Sequence, residues 1–264
     1  MNDTGQQVKI AAVVLAGAPA EPEMKERYSV ESRAEVPIAG KKMIRHVLDA
    51  LADSPHVGSI CVIGDIQCEG ADRLVPSAGG LVENLIAGVK ASGEGEERVL
   101  VVTSDIPMLT SEAVEDFIAR CAETDADFCY SIIRKETAEK RFPGMKRTYA
   151  CLAEGVFTGG NVVLVSRRTI AENTDVIREL MAARKSVPRL ARIIGLRFLV
   201  RALIAQVIWA KAINLPGLEE MLGRILKAKV KAVETPYAEI GADVDKLEHI
   251  EFAEKAMREV MRDS

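Results

Sequence analysis

The sequence predicts an α/β protein with a doubly wound, mostly parallel sheet and an α-helical insertion. Short apolar runs that are typical of buried strands alternate with helical patterns along much of the chain. The chain has 264 residues, of which 48% are hydrophobic and 28% charged, so it can bury a large core. Repeated strand–helix units imply parallel strands joined by right-handed crossovers, with helices on both faces of the sheet.

The predicted elements follow one another in a regular order. The first strand is Ile10–Leu15, and a long polar loop separates it from a helix at Met43–Ala52. Further strands are predicted at residues 59–63, 99–103, 128–133, 162–165 and 230–234. Further helices are predicted at residues 81–91, 111–121 and 247–261. In a sheet of this kind, ligands bind outside the carboxyl ends of the strands.

Residues 177–228 carry no strand pattern and are predicted to form a helical insertion. The α/β domain then consists of residues 1–176 and 229–264. The insertion is rich in Lys and Arg, and residues 193–215 are apolar over most of their surface. We expect the insertion to form a subdomain beside the carboxyl ends of the strands, with a core of its own. Apolar helices more often form a core than a membrane anchor. The alternatives are peripheral contact with an anionic membrane and a homodimer, either of which would expose a patch formed by Ile193, Leu196, Leu199, Leu203 and Ile208.

Composition excludes several classes of protein. The formal net charge of −4 argues against a dedicated nucleic-acid-binding protein. The five cysteines form no C-x-x-C pair and no metal-ligand spacing, which is typical of reduced thiols in the cytoplasm. Residues 1–9 are polar and lack an apolar signal core, and no run of 18 uncharged apolar residues predicts a spanning helix.

Asp105 stands where the third predicted strand ends. Pro107 prevents further ladder pairing, and Thr110 or Ser111 is expected to cap the next helix. A carboxylate at the carboxyl end of a parallel strand can hold Mg²⁺, which prefers a few carboxylates together with water and substrate phosphates. The alternative is a solvated loop aspartate.

The loop after the first strand has the features of a phosphate-binding segment. Gly17 follows Leu15 and Ala16, and a glycine at this place lets backbone N–H groups approach a phosphate closely. Cations further along this loop can neutralise a triphosphate. Alternatively, they are solvated partners of nearby glutamates. These cations are Lys25, Arg27 and Arg33.

Taken together, these segments resemble the nucleotidyltransferase family with a GT-A-like fold. That family includes MobA-like guanylyltransferases and the sugar-phosphate and cytidylyl transferases. The matches occur in the family's order through the α/β body and do not include the insertion. They are LAG at 15–17, VPIAGKKMI at 36–44 with HVLDAL at 46–51, SDIPML at 104–109, TGGN at 158–161 and DVDKLEHIE at 243–251.

The resemblance implies a reaction and a metal site. An NTP and a phosphorylated small-molecule acceptor would yield an NDP-linked product and pyrophosphate. Asp105 and Asp245 match the two metal positions of the family, with Asp243 close by, and we expect them to share one Mg²⁺. The alternative for Asp243 and Asp245 is N-capping of the last helix.

The resemblance also suggests where the nucleotide base and the acceptor bind. Gly79, Gly80 and Asn84 correspond to the region that meets the base or ribose. Gly160 and Asn161 correspond to the segment that contacts the acceptor. The alternative for Gly79 and Gly80 is a plain turn between a loop and a helix. The alternative for Gly160 and Asn161 is a tight turn.

The phosphate loop departs from the family pattern L-A-G-G-x-x-x-R-M-G. Ala18 replaces the second glycine, and Arg33 stands where the family has the lysine of a P-K pair. Lys25 and Arg33 are therefore the predicted catalytic cations. Two other functions remain open: a catalytically degenerate nucleotide-binding or regulatory protein, and a GT-A glycosyltransferase that uses an NDP-sugar.

Overall fold

The computed structural model describes residues 9–93, 97–183 and 213–263. The helices are α1 (Pro22–Tyr28), α2 (Met43–Ala52), α3 (Leu81–Ala91), α4 (Ser111–Ala122), α5 (Lys135–Arg141), α6 (Arg167–Glu172), α7 (Thr174–Ala183), α8 (Leu215–Leu226) and α9 (Leu247–Asp263). The strands are β1 (Ile10–Leu15), β2 (Pro37–Ile38), β3 (Lys41–Lys42), β4 (Val57–Ile63), β5 (Arg73–Val75), β6 (Arg98–Thr103), β7 (Phe128–Arg134), β8 (Ala150–Leu152), β9 (Gly155–Ser166) and β10 (Val230–Glu234).

An eight-stranded sheet forms the centre of the molecule, in the order β10-β7-β9-β6-β1-β4-β5, with β8 paired to β9. The pairs β1–β4, β1–β6, β4–β5 and β7–β10 are parallel. This arrangement confirms the predicted fold class. The strands β2 and β3 form a separate small hairpin just before α2.

Strand β9 departs from the parallel pattern that strand–helix alternation predicts. It runs antiparallel to both neighbours, β6 and β7. The physical reason is local: β8 and β9 are joined as a tight hairpin, so no crossover helix separates them. Gly155 begins β9 with φ +146°, a conformation that favours glycine. The predicted four-residue strand at 162–165 is only the second half of this longer strand.

Helices cover both faces of the sheet, and this explains the unbroken apolar runs of its strands. Ala12 and Val14 of β1 face a large core that includes α2, α4 and α9. Val13 and Leu15 face a second core, formed with α3 and residues of α6 and α7. Because β1 is buried on both sides, every position in it is apolar.

The predicted insertion is described only at its two ends. Helices α7 and α8 agree with the expected helical character. Around the start of α8, Ile213 joins Phe157 and Leu152 in a small core. The five apolar residues that would distinguish a core from an exposed patch, together with the rest of 184–212, lie outside the described residues. The division into domain and insertion stays a prediction.

Two of the helices that the prediction missed are short and mostly exposed. Helices α1 and α5 have seven residues each and bury one residue apiece, so they present little hydrophobic periodicity.

Over the ranges that the structure describes, every helix is too short or too polar to span a bilayer. All five cysteines are free thiols.

Candidate active site

The loops after β6 and before α9 meet at the carboxyl edge of the sheet. Asp105 lies just beyond β6, and its backbone oxygen accepts a hydrogen bond from the N–H of Val244 at 2.8 Å. Thr110 then caps α4, because its side chain accepts from the N–H of Ala113 at 3.2 Å. The hydrogen bond from Val244 joins the Asp105 loop to the segment that carries Asp243 and Asp245. The sequence predicts that these loops lie close together.

Arg33 joins the two loops. Its Nη1 donates to Oδ2 of Asp105 at 2.9 Å and also contacts Oδ1 of Asp245. The side chains of Arg33 and Asp105 are each only 14% exposed. Two carboxylates therefore share one guanidinium nitrogen, which places them near enough to bind a common cation.

The loop after β1 holds Arg33 in place. The backbone N–H of Arg33 donates to the carbonyl oxygen of Ala18 at 3.1 Å. The preceding residue, Ser32, donates its hydroxyl to the carbonyl of Ala16 at 3.1 Å and accepts from the N–H of Ala34. The carboxylates, Arg33 and the predicted phosphate loop are thus one connected structure.

This edge of the sheet carries an excess of negative charge. Burial, followed by the hydrogen bond and charge of Asp245 and the charge of Asp105, raises the pKa of Asp243 to about 7. A carboxyl group with such a pKa is half protonated near neutrality. Arg33 balances the charges of the other two carboxylates, Asp105 and Asp245.

Several polar atoms at this edge are buried without a hydrogen-bond partner among the described residues. They are Oδ1 of Asp105, Nε of Arg33 and Oγ1 of Thr103. Buried polar atoms are normally paired, so unpaired ones indicate a place for a ligand. A carboxylate oxygen without a hydrogen-bond partner is free to act as a ligand of Mg²⁺.

The protein provides only part of a metal shell. Across residues 9–93, 97–183 and 213–263, no group of three or more His, Cys, Asp or Glu side chains is arranged to hold a metal ion. The carboxylate oxygens of Asp105 and Asp245 are of the hard type that Mg²⁺ prefers, and Mg²⁺ commonly completes a small set of such ligands with water and substrate phosphates. The residues present fit a metal that binds together with its nucleotide.

Gly17 and Asn84 lie against each other, although they are far apart in the sequence. A Cβ atom added to Gly17 would come 2.2 Å from Nδ2 of Asn84, so a side chain at this position would displace the amide. Asn84 is 3% exposed, and its Oδ1 accepts from the N–H of Ala78 at 2.7 Å and from Oγ of Ser77 at 3.2 Å. Asn84 therefore orders the loop before α3, and sequence reasoning missed Ser77.

The two predicted glycines before α3 have separate structural reasons. Gly79 has φ +107°, which an L side chain rarely adopts, and Gly80 is the N-cap residue of α3. The amide oxygen of Asn84 is already used within the protein. Contact of Gly79, Gly80 and Asn84 with a base or ribose stays a prediction.

The other two loop cations lie away from the carboxylates. Nζ of Lys25 is 2.5 Å from Oε2 of Glu31, and Arg27 is 3.9 Å from Glu251. These contacts match the alternative of solvated ion pairs. A phosphate role for Lys25 stays a prediction, whereas Arg33 already reaches the site.

Gly160 and Asn161 lie within β9, so the tight turn considered for them is wrong. A Cβ at Gly160 would come 2.2 Å from Oγ of Ser131, and one at Gly159 would come 2.2 Å from Oη of Tyr130. The glycines therefore make room for side chains of β7. Gly159 also lines a pocket beside the carboxylates, and contact of Gly160 and Asn161 with an acceptor stays a prediction.

That pocket has a volume of about 620 Å³ and is bordered by Asp243 and Asp245. His249 lines it and accepts a hydrogen bond at Nδ1 from the N–H of Asp245 at 3.3 Å, while burial lowers the pKa of its imidazole. Arg147 lines the same pocket. Sequence reasoning included His249 only within the closing motif and missed Arg147, which no motif contains.

The fold is that of nucleotidyltransferases with a GT-A-like architecture. A family model described as the MobA-like NTP transferase domain matches residues 12–207, and the chain belongs to that family. This confirms the resemblance seen in the sequence.

Individual proteins agree with this assignment. A hypothetical transferase of solved structure from Thermus thermophilus is 36% identical, with a TM-score of 0.81 over 92% of this chain and 100% of that one. The 4-diphosphocytidyl-2C-methyl-D-erythritol synthase of Anaerococcus prevotii DSM 20548 is 14% identical, with a TM-score of 0.56 over 98% and 100% of the two chains, a likeness of fold alone.

A third similar protein matches over a shorter stretch. The bifunctional protein GlmU of Parvibaculum lavamentivorans is 34% identical over an alignment of 102 residues, which covers 33% of this chain and 22% of GlmU. The match therefore spans about a fifth of the length of that relative.

Proposed function

We propose that this protein transfers a nucleoside monophosphate from an NTP to a phosphorylated small-molecule acceptor and releases pyrophosphate. The observation that carries the proposal is the meeting of Asp105 and Asp245 at Arg33, beside the loop after β1. Family membership supports the reaction class. An acceptor oxygen would attack the α-phosphorus as the bond to the β-phosphate bridging oxygen breaks, so pyrophosphate leaves with that oxygen.

The metal in this proposal is Mg²⁺, held by Asp105 and Asp245 with Asp243 behind them. When bound, Mg²⁺ would neutralise charge on the phosphates. The backbone of Leu15, Ala16 and Gly17 would lie along the triphosphate. Gly79, Gly80 and Asn84 would form the base side of the site, and Gly160 and Asn161 the acceptor side.

Arg33 has two roles in this proposal. Without nucleotide it holds the two carboxylates together, as its contacts indicate. With nucleotide it binds the triphosphate, assisted by Lys25 once that lysine leaves Glu31. A cytoplasmic location is also part of the proposal, since free thiols are the state kept by a reducing compartment.

The test is pyrophosphate release in the presence of Mg²⁺, with each of the common NTPs offered alongside a panel of sugar phosphates. The expected result is Mg²⁺-dependent pyrophosphate release that Asp105→Asn lowers by about 100-fold to 1,000-fold. Asp175→Asn is the matched control, because its side chain is 96% exposed on α7.

Two results would contradict the proposal. Release of NDP from an NDP-sugar, without pyrophosphate, would identify a glycosyltransferase. Binding of NTP without any turnover across the panel would identify a nucleotide-binding or regulatory protein with a degenerate phosphate loop.

A further inference from the structure

Arg147 is a partly buried cation, and two of its nitrogen atoms are buried without a matching anion. Its Nε and Nη1 atoms are buried and have no hydrogen-bond partner within the part of the chain that the structure describes. Its Nη2 donates only to Sδ of Met145 at 3.4 Å, and a thioether is a weak acceptor. Guanidinium nitrogens that are buried without partners are costly to the fold.

The side chain is held in place by its surroundings. The guanidinium carbon lies 5.6 Å from the ring centre of Phe142, which is itself buried against Phe252 of α9. Gly241 leaves space for it, because a Cβ there would come 3.2 Å from Nη1 of Arg147. These contacts hold the arginine at the wall of the pocket.

Nearby acidic groups already have partners. Glu239 accepts from Nε of Arg141 at 2.7 Å, and Asp243 is hydrogen-bonded to Asp245. Burial, the largest influence, lowers the pKa of the Arg147 guanidinium against the opposing pull of Tyr149, Asp243 and Glu239. No described residue thus supplies the anion that the Arg147 donors lack.

We propose that Arg147 binds an oxyanion of the acceptor, a phosphomonoester or a carboxylate, in the pocket beside Asp243 and Asp245. The inference rests on the proposed function and adds the residue that binds the anionic group of the acceptor. An anionic acceptor that approaches three aspartates is repelled, and Arg147 with Lys146 at the same pocket offsets that repulsion. The guanidinium turns its unpaired donors toward the entering anion, which relieves their burial without a partner.

The experiment measures binding of inorganic phosphate, glycerol 3-phosphate and acetate by calorimetry, with no NTP present. Arg147→Met is expected to weaken the binding of the preferred anion by about tenfold or more, and Arg147→Lys by less. Arg224→Met is the matched control, because that arginine lies exposed on α8 and should change affinity little. Tighter binding of glycerol 3-phosphate supports a phosphomonoester, and tighter binding of acetate supports a carboxylate.

Two results would overturn the proposal. The first is the absence of anion binding by the unmodified protein. The second is binding that Arg33→Met weakens while Arg147→Met does not, since this would place the anion at the loop after β1. Because no NTP is used, a protein without transferase activity can still pass this test, so the two proposals fail separately.

A stability measurement separates binding from a structural role. If Arg147 is kept for a ligand, Arg147→Met removes an unpaired buried cation and raises the melting temperature of the ligand-free protein by about 2 °C or more. An arginine kept for structure would give a lower melting temperature, and that result would count against the proposal.

Discussion

Arg33 and Arg147 lie on two sides of the same carboxylate edge, in opposite electrostatic situations. Arg33 contacts both Asp105 and Asp245, and its backbone is bonded to the loop after β1. Arg147 packs against Phe142 and Gly241 and has no carboxylate within hydrogen-bonding distance among the described residues. The first arginine is part of a matched cluster of charges, and the second is unmatched.

This difference indicates how the two arginines should respond to substitution. A matched buried charge contributes to the fold, because its removal leaves its partners uncompensated. An unmatched buried charge opposes the fold and is retained for another reason, which is most simply a ligand. Replacing Arg33 should therefore lower the stability of the fold, whereas replacing Arg147 should raise it.

The largest expected effect concerns the carboxylates that Arg33 joins. Asp105→Asn should lower nucleotidyl transfer by about 100-fold to 1,000-fold, because the substitution removes a charge from the centre where phosphate charge is stabilised. Pyrophosphate release measures the rate, and circular dichroism checks that the fold is kept. An unchanged rate would remove Asp105 from the proposed metal site.

The next effect is on stability and tests the matched arginine. Arg33→Met should reduce the free energy of unfolding by about 1–3 kcal/mol, because it leaves the poorly exposed Asp105 carboxylate without its cation. Urea unfolding at neutral pH measures the change. Adding Asp105→Asn should restore part of the loss, and two strictly additive effects would mean that the pair is not coupled.

A third effect follows from the raised pKa of Asp243. The folded protein holds this proton up to a pH of about 7, whereas the unfolded chain releases it near 3.8. The stability that the protonated Asp243 contributes to the fold is therefore fully present below pH 3.8 and is lost as the pH rises through about 7. The ligand-free protein should lose stability between about pH 5 and about pH 8 by at least 1 kcal/mol.

Asp243→Asn isolates that titration, because the amide stays neutral. The variant should unfold at a similar urea concentration to the unmodified protein at low pH and at a higher one at high pH. Parallel stability profiles for the two proteins would show that Asp243 does not carry the pH dependence.

The smallest effect concerns Lys25. Lys25→Gln should change the free energy of unfolding by less than about 0.5 kcal/mol, because its pair with Glu31 is exposed. NTP affinity, measured by calorimetry, should fall by about threefold to tenfold if the lysine moves to the triphosphate. An unchanged affinity would leave Arg33 as the cation of this loop.

The sequence by itself determined the class of fold and the location of the carboxylate edge. The bounds of β1, α2, α3 and β10 agree with the prediction, because each is specified by its own apolar pattern. Asp105 could be placed just beyond a strand from its neighbours alone, since Pro107 excludes further ladder pairing and Thr110 caps the next helix.

Tertiary structure decided the features that depend on partners from distant parts of the chain. The direction of β9 follows from the hairpin that it forms with β8. The prediction missed β8. The pairing of Arg33 with Asp105 and Asp245, and the absence of such a partner for Arg147 among the described residues, depend on how three loops pack. Local propensity specifies where an element begins and ends, whereas burial and charge matching are set only when the sheet brings those loops together.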